Sequence, residues 1–458
     1  MNGAPEPLPD GPLVTWYGDD FTGATASMEV LAFAGLPSVL FFDPPTSERL
    51  RRFEGYRGIG IAGMARSKPP QWMDAHLPAV FDAMAGFGAP IAHYKICSTL
   101  DSSPNVGSIG RAAELAIPRL GGAWHPLVLA APEIERYQAF GNLFAAVAGR
   151  PYRLDRHPVM SRHPVTPMDE ADVNRHLARQ TGLPMGLVDL LDLAADVDVA
   201  LVRERAKGAE IVGIDCLDEA TLKHVGGLIW RHRGERLFVI GSQGVEYALV
   251  AHWKAAELLD DVETPVNPGR AERMAVVSGS CSLVNANQIS HAERAGFAAI
   301  RIDPARAVSQ LAWEEELNRA IGAALRCFDE GRDPILFTAS GPDDPAIAEF
   351  NSAIEASGRI NSDVNAEVGI GLGRALRELI VRARLDRAVI AGGDTSSHGA
   401  SALGIYALTA LAPVAPGAPL CRAHSDDTDF DNLEIALKGG QMGGPDYFAT
   451  VRNGGLAA

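Results

Sequence analysis

Trp16-Tyr17-Gly18-Asp19-Asp20-Phe21-Thr22-Gly23-Ala24-Thr25 follows an apolar run that begins at Leu13 and precedes a helical pattern over Ala24–Ala34. That order, strand then short turn then helix, puts Asp19 and Asp20 in the turn at the C-terminal end of a first strand. Open α/β sheets bind ligands in the crevice outside such strand ends. Carboxylates there can orient hydroxyl groups, hold Mg²⁺ or accept a proton. An Asp at the same point also caps a helix, which contributes roughly 0.5–2 kcal/mol. The spacing alone leaves both roles open.

The alternation continues outward from this stretch. Short β-rich runs at Ser38–Phe42, Gly58–Ala62, Ile91–Lys95, Leu127–Ala130, Ile211–Ile214 and Leu237–Ile240 are interleaved with helical stretches at Gln71–Met84 and Glu219–Arg233. Such alternation predicts parallel βαβ units. Glu257 to Arg273, with Asp260-Asp261, Pro265 and Asn267-Pro268-Gly269, interrupts it and reads as a linker. A second series then runs through Met274–Ser278, Ala298–Ile302, Ile335–Thr338, Ala388–Ala391 and Glu434–Leu437, with helices expected at Asn285–Ala295, Trp313–Glu330, Asp363–Arg382 and Gly399–Ala410. The expected architecture is two α/β domains, 1–265 and 270–458, with mostly parallel sheets and a cleft between them, a favoured place for ligands.

Composition narrows the function class. The 458 residues are 47% hydrophobic and 21% charged, an ordinary soluble profile, and the net charge of −16 argues against a nucleic-acid partner. It leaves room for an anionic small molecule, because a pocket can be positive on an acidic protein. Five scattered cysteines without a CxxC pair fit a reduced, cytoplasmic setting. No stretch reads as a signal peptide or a membrane span. The chain can assemble as a homo-oligomer, a state its sequence does not specify.

Three Gly- or Ser-rich segments follow strands in the second half: Val277-Ser278-Gly279-Ser280-Cys281-Ser282, Ala391-Gly392-Gly393-Asp394-Thr395-Ser396-Ser397, and Leu437-Lys438-Gly439-Gly440-Gln441-Met442-Gly443-Gly444. Glycine admits backbone amides close to a phosphate, helix N-termini favour anions, and hydroxyls and lysine add donors. None is a P-loop or a dinucleotide fingerprint. In the first half, Lys95-Ile96-Cys97-Ser98-Thr99-Leu100-Asp101-Ser102 joins a cation, hydroxyls and a carboxylate. That set suits a polyhydroxylated acid, or equally a polar turn before a helix. Arg156 to Met168 is the densest cationic stretch, and Arg162 and His163 are its candidate anion clamp. The histidines show no metal-ligand spacing, and no Ser lies in a nucleophile elbow.

Gly18-Asp19-Asp20-Phe21-Thr22-Gly23-Ala24 resembles the Asp-Asp-x-Thr-Gly-Ala signature of the four-carbon acid sugar kinase family. Ser278-Gly279-Ser280-Cys281-Ser282 with Gln288, Gly392-Gly393-Asp394-Thr395-Ser396, and Leu437-Lys438-Gly439-Gly440-Gln441 with Gly443 resemble its C-terminal landmarks in the same order. The resemblance implies a two-domain ATP-dependent kinase that phosphorylates the terminal hydroxyl of a small sugar acid such as threonate, erythronate or 3-oxo-tetronate, with Mg²⁺ on the nucleotide. It implies a substrate side at Asp19, Asp20, Thr22 and Gly23. The nucleotide side is implied at Ser278, Ser280, Ser282, Gly392, Gly393, Asp394, Thr395, Gly439 and Gly440. Many members carry Lys-x-Asp-Ser-Thr-Leu-Arg-Gly where this chain has Lys95-Ile96-Cys97-Ser98-Thr99-Leu100-Asp101-Ser102, so an Arg has become Asp101. The anion clamp is then expected at Lys95, Arg162 or His163, and the substrate becomes a related branched or oxidised acid such as 3-oxo-isoapionate. Two other classes remain in view. A non-catalytic sugar-acid sensor would share two α/β lobes, and a dehydrogenase would need the absent dinucleotide fingerprint.

Overall fold

The computed structural model describes residues 7–147, 149–163, 165–260, 262 and 265–456, except for the side chain of Asp394. The chain divides into two compact units, Met1–Glu263 and Thr264–Ala458.

The first unit is built on parallel strands β1 (Val14–Gly18), β2 (Ser38–Phe41), β3 (Gly58–Ile61), β4 (Ile91–Lys95) and β5 (His125–Val128). After an antiparallel three-stranded sheet of β6 (Arg136–Ala139), β7 (Asn142–Val147) and β8 (Arg150–Arg153), the parallel series resumes with β9 (Met185–Val188), β10 (Ile211–Ile214) and β11 (Leu237–Gly241). Their order is β2-β3-β1-β4-β11-β5-β10-β9. Nearly every residue of these strands is buried, which explains why they read as continuous apolar runs: helices cover both faces of a parallel sheet. Tyr17, Phe81, Tyr94, Ile96, Leu127, Phe238 and Ile240 belong to one core cluster beside the strands.

The hairpin sheet hangs from the end of β10. Phe140 and Gly141 both take positive φ, 49° and 73°, as a tight two-residue hairpin turn requires. Asp215, just beyond β10, accepts hydrogen bonds from the N–H groups of both and from Gln138 Nε2. Gln138 and Cys216 exchange backbone hydrogen bonds of 2.9 and 3.0 Å.

The second unit contains β12 (Met274–Ser278), β13 (Ala298–Arg301), β14 (Pro334–Phe337), β15 (Arg387–Ala391), β16 (Ile405–Ala412), β17 (Leu420–Ser425) and β18 (Glu434–Lys438), ordered β13-β14-β12-β15-β18-β17-β16. The first five in that order are parallel; β17 and β16 run antiparallel. The helix expected at Gly399–Ala410 is replaced by a helix Gly393–Ala402 and then strand β16. Gly404, at φ 70°, ends the helix, and the Ile-Tyr-Ala-Leu run that follows is buried by pairing with β17. Its alanines and leucines favour a helix locally, and the long-range ladder overrides them.

Candidate active site

β1 delivers Asp19 and Asp20 at its C-terminal end, and the helix Phe21–Phe33 starts at once. Asp20 is the cap: its Oδ1 accepts from Gly23 N at 3.1 Å and its Oδ2 from Thr22 Oγ1 at 2.7 Å. Gly23 is dictated by space, since a Cβ there would collide with Asp20 Oδ1 and lie 3.0 Å from Lys95 Nζ. A Cβ on Gly18 would lie 2.5 Å from that of Ala24. The order Gly-Asp-Asp-x-Thr-Gly-Ala is therefore also the packing of a helix start on a strand end.

Arg66, in the turn after β3, had no place among the sequence candidates. Its Nη2 lies 2.6 Å from Asp19 Oδ1 and 2.5 Å from Asp20 Oδ1, its Nε lies 3.3 Å from Asp19 Oδ2, and its backbone N–H donates to Asp19 O. A signal existed: Ala62 to Ser67 follows a strand that neighbours β1, so its polar residues emerge at the same sheet edge. Lys95, at the end of β4, is buried, with Nζ donating to Ile96 O at 2.9 Å. Two acids and two bases thus share one corner.

Their electrostatics differ. Burial raises the Asp19 carboxyl above its usual range, against the pull of Arg66. Burial would also raise Asp20, but Arg66, then Lys95 and the bonds from Thr22 and Gly23, hold it below the usual range. The Asp19 side chain is 2% exposed and that of Asp20 is 23%. Asp20 is the more exposed of the two carboxylates, and Asp19 is the buried partner of Arg66.

The loop after β4 stands next along the sheet edge. Ser98 and Thr99 are buried, and Leu100 takes φ 60°. Thr99 Oγ1 lies 2.9 Å from Cys97 Sγ and donates to Asp101 Oδ1 at 2.8 Å. Burial, then Asp101, pushes the Cys97 thiol up to about 11, so Cys97 is a neutral spacer there. Arg162 and His163 are not brought to this corner by any described contact. His163 Nδ1 accepts from Thr166 N, closing a turn, and Arg162 is exposed.

In the second unit the three Gly/Ser segments leave adjacent strands. Ser278 of β12 is level with Ala391 of β15, which is level with Lys438 of β18. The loops interlock. Gly279 N donates to Ala391 O and Gly392 N to Lys438 O. Ser282 caps the helix Leu283–Arg294 through Asn285 N and donates to Gly440 O. Gly392 holds φ 121°, a region closed to other residues, and leads into the helix Gly393–Ala402. A Cβ on Gly440 would lie 2.6 Å from Ser280 Oγ, and one on Gly279 would strike Thr395 Oγ1, whereas the space around Gly393 is open. Hydroxyls of Ser280 and Thr395 stand beside an open helix N-terminus, a donor set that fits a polyphosphate, while the Ser282 hydroxyl is committed to Asn285 N and Gly440 O. Ser278 lies deeper, bonded to Asn285 Nδ2. The candidates Gly439 and Gly440 sit in the third loop, and the Asp394 side chain lies outside the described residues. Lys438 points away from solvent, with Nζ 5.7 Å from the Tyr447 ring and 3.5 Å from Asn285 Oδ1, and burial lowers its pKa to about 8. It braces the loops from below.

Among the described residues, no three His, Cys, Asp or Glu side chains gather as a metal site, and no helix is long and apolar enough to cross a membrane. Mg²⁺ characteristically uses one or two carboxylates plus substrate phosphates, so a nucleotide-borne ion does not need such a cluster.

Residues 14–249 match the model of a sugar-binding N-terminal domain, and residues 275–448 that of a nucleotide-binding C-terminal domain. The chain belongs to the four-carbon acid sugar kinase family. It is 47% identical over 450 residues to a 3-oxo-isoapionate kinase of Paraburkholderia graminis, covering 98% of this chain and 96% of that one. It is 29% identical to a 3-oxo-tetronate kinase of Burkholderia multivorans, covering 95% and 96%. A solved structure from Salmonella typhimurium LT2 shares the family's fold with this chain at a TM-score of 0.76 and 24% identity, covering 96% of this chain and 98% of that one. Kinase relatives imply the use of ATP in the family.

Proposed function

We propose that this family member transfers the γ-phosphoryl group of Mg²⁺-ATP to the terminal hydroxyl of a branched or oxidised sugar acid, with 3-oxo-isoapionate as the first substrate to test. The observation that carries the choice is the full-length 47% identity to a 3-oxo-isoapionate kinase, against 27–29% for 3-oxo-tetronate kinases. Asp101, standing where many members carry Arg, supports the same choice.

In this reading the first unit binds the sugar acid and the second binds the nucleotide. Phosphoryl transfer needs positioning and charge neutralisation more than covalent chemistry. Asp20 accepts a hydrogen bond from the substrate hydroxyl and orients it, while Arg66 and Lys95 neutralise the acidic pair. Ser280, Thr395 and the amides that open the helix Gly393–Ala402 hold the phosphates, on loops that Ser282 ties together. Ser98 and Thr99 line the sugar-acid side.

The test is ATP consumption over a panel of four- and five-carbon sugar acids, with product position assigned by NMR. Turnover with 3-oxo-isoapionate exceeding that with 3-oxo-tetronate is the expected result. No turnover across the panel, together with no thermal stabilisation by ATP or ADP, refutes a kinase and leaves the sensor reading. Stabilisation by NAD alone would instead indicate a dehydrogenase.

A further inference from the structure

Gln180 fastens both ends of one loop. It lies in the turn after the helix Val173–Leu177, with its N–H donating to Leu177 O at 2.8 Å. Its Oε1 accepts from Ile109 N at 2.8 Å and from Gly110 N at 3.3 Å, two of the amides that open the helix Ile109–Leu120. Its Nε2 donates to Ser102 Oγ at 2.8 Å and faces His176 Nε2 at 3.1 Å. Burial lowers the His176 pKa to about 4, so the ring is neutral at pH 7 and this nitrogen can accept. The Ser102 hydroxyl, 3.0 Å from the same ring nitrogen, donates to Leu100 O at 2.9 Å. Ser102 and His176 are both buried. The fit at the other end is close: a Cβ on Gly110 would lie 2.7 Å from the Gln180 carbonyl carbon and oxygen. Thr181, next in the chain, donates to Glu114 Oε1 at 2.8 Å and moors the turn to the same helix.

Both ends of segment 102–109 lead to the sugar-acid side. At the first end, Ser102 bonds the carbonyl of Leu100, whose φ of 60° is left-handed, and Leu100 N donates to Cys97 O at 3.0 Å. A branched side chain holds that conformation only where its neighbours fix it. The same turn carries Ser98, Thr99 and Asp101, with Thr99 Oγ1 on Asp101 Oδ1. Within the segment, Ser103 and Val106 close a tight turn: Ser103 N donates to Val106 O at 2.9 Å and Val106 N to Ser103 Oγ at 3.0 Å. Gly107 follows at φ 63°. Its N–H donates to Lys68 O at 2.9 Å, and a Cβ there would lie 2.5 Å from Arg66 O. Arg66 therefore rests against Gly107 through its backbone while its side chain binds Asp19 and Asp20.

We propose that Gln180 is a positioning residue for the kinase reaction: by fastening both ends of segment 102–109, its carboxamide fixes the turn 98–101 and the seat of Arg66. This rests on the proposed function and adds a residue, remote in sequence from the acidic pair, that sets the geometry of the sugar-acid side.

The test is steady-state kinetics of the full chain with ATP and the sugar-acid panel, at a temperature where circular dichroism shows each variant folded. In Gln180→Ala, kcat/KM for the preferred acid should fall at least about tenfold, because a small displacement of binding groups is that costly, while KM for ATP stays within about twofold. Ser102→Ala should also lose activity towards the acid. The double variant should lose less than the product of the two single losses, because both residues act through one clasp. Gln180→Glu keeps an acceptor for the Ile109 and Gly110 amides, at a helix N-terminus that favours an anion, but loses the donors to Ser102 and His176. It should fold and show a loss of at least about tenfold on the acid, and it carries the test if the Ala variant does not fold. A smaller loss in the folded Gln180 variant, an equal rise in KM for ATP, or single losses that multiply fully in the double variant overturns the inference, while native turnover leaves the kinase standing. Absence of native turnover across the panel overturns both.

Discussion

Arg66→Met isolates the interaction that holds the acidic corner together. The substitution keeps most of the side-chain volume and removes both ion pairs, 2.6 Å to Asp19 and 2.5 Å to Asp20. Asp19 is then a buried carboxylate without its strongest counter-charge. Removing one partner of a buried pair costs about 3–5 kcal/mol. Arg66 is 23% exposed, so the lower end, about 3 kcal/mol, is expected at pH 8. The loss must depend on pH. Asp19 is already raised by burial against the pull of Arg66, so its contribution is fully present below its unfolded pKa, near 4, and fades as pH rises through the folded value. Without Arg66 that folded value climbs further, and the carboxyl escapes the penalty by protonating. Each unit of extra rise is worth about 1.4 kcal/mol. Urea unfolding of the full chain at pH 8 and pH 5 reads this directly: the deficit of Arg66→Met should shrink towards pH 5. Asp19→Asn added to Arg66→Met should restore stability at pH 8, a double-mutant cycle with strong coupling. A deficit under about 1 kcal/mol at both pH values, or one that grows towards acid, would refute the account.

Asp20→Asn keeps the helix cap, because Asn caps as well as Asp, and leaves Arg66 paired with Asp19 but loses its own ion pair to Arg66, so it should fold with a lowered melting temperature while kcat falls by about 10²-fold or more; near-native turnover removes Asp20 from catalysis. Gly23→Ala should lower both stability and activity, because the added methyl strikes the Asp20 carboxylate; circular dichroism melting and the ATP-consumption assay read the two losses. Lys438→Met should stabilise the chain at pH 7 by up to about 3 kcal/mol and by less at pH 10. The folded pKa of about 8 lies below the ordinary 10.5, so the native lysine's penalty is relieved as pH rises between them; a destabilised variant at pH 7 would show that Lys438 is needed charged. Ser282→Ala loses both the cap on Asn285 and the bond to Gly440 O, and should raise KM for ATP without changing KM for the sugar acid, measured by steady-state kinetics.

Much of the candidate site's local geometry was legible because it is decided within a few residues. Asp20, Thr22 and Gly23 lie within four residues, and a cap, its hydroxyl partner and the glycine that clears room for it are decided by backbone geometry. The three loops of the second half announced themselves by glycine and serine after apolar runs. Arg66 did not, since it reaches the acidic pair from a different loop, 46 residues from Asp20 in sequence. Arg162 and His163 drew notice by local charge density, yet charge density in one stretch says nothing about which strand ends lie side by side. The strand β16 was hidden for a related reason: its residues favour a helix until β17 supplies hydrogen bonds.

By itself the sequence determined the alternation of strand and helix, the signature turn and the order of the loops, because hydrophobic periodicity, capping and glycine placement act over a few residues. Only the tertiary structure decided which carboxylate caps and which is buried, and that Arg66 joins them. Those outcomes depend on strand order in the sheet, where residues far apart in the chain become neighbours at one edge and burial sets the strength of their charges.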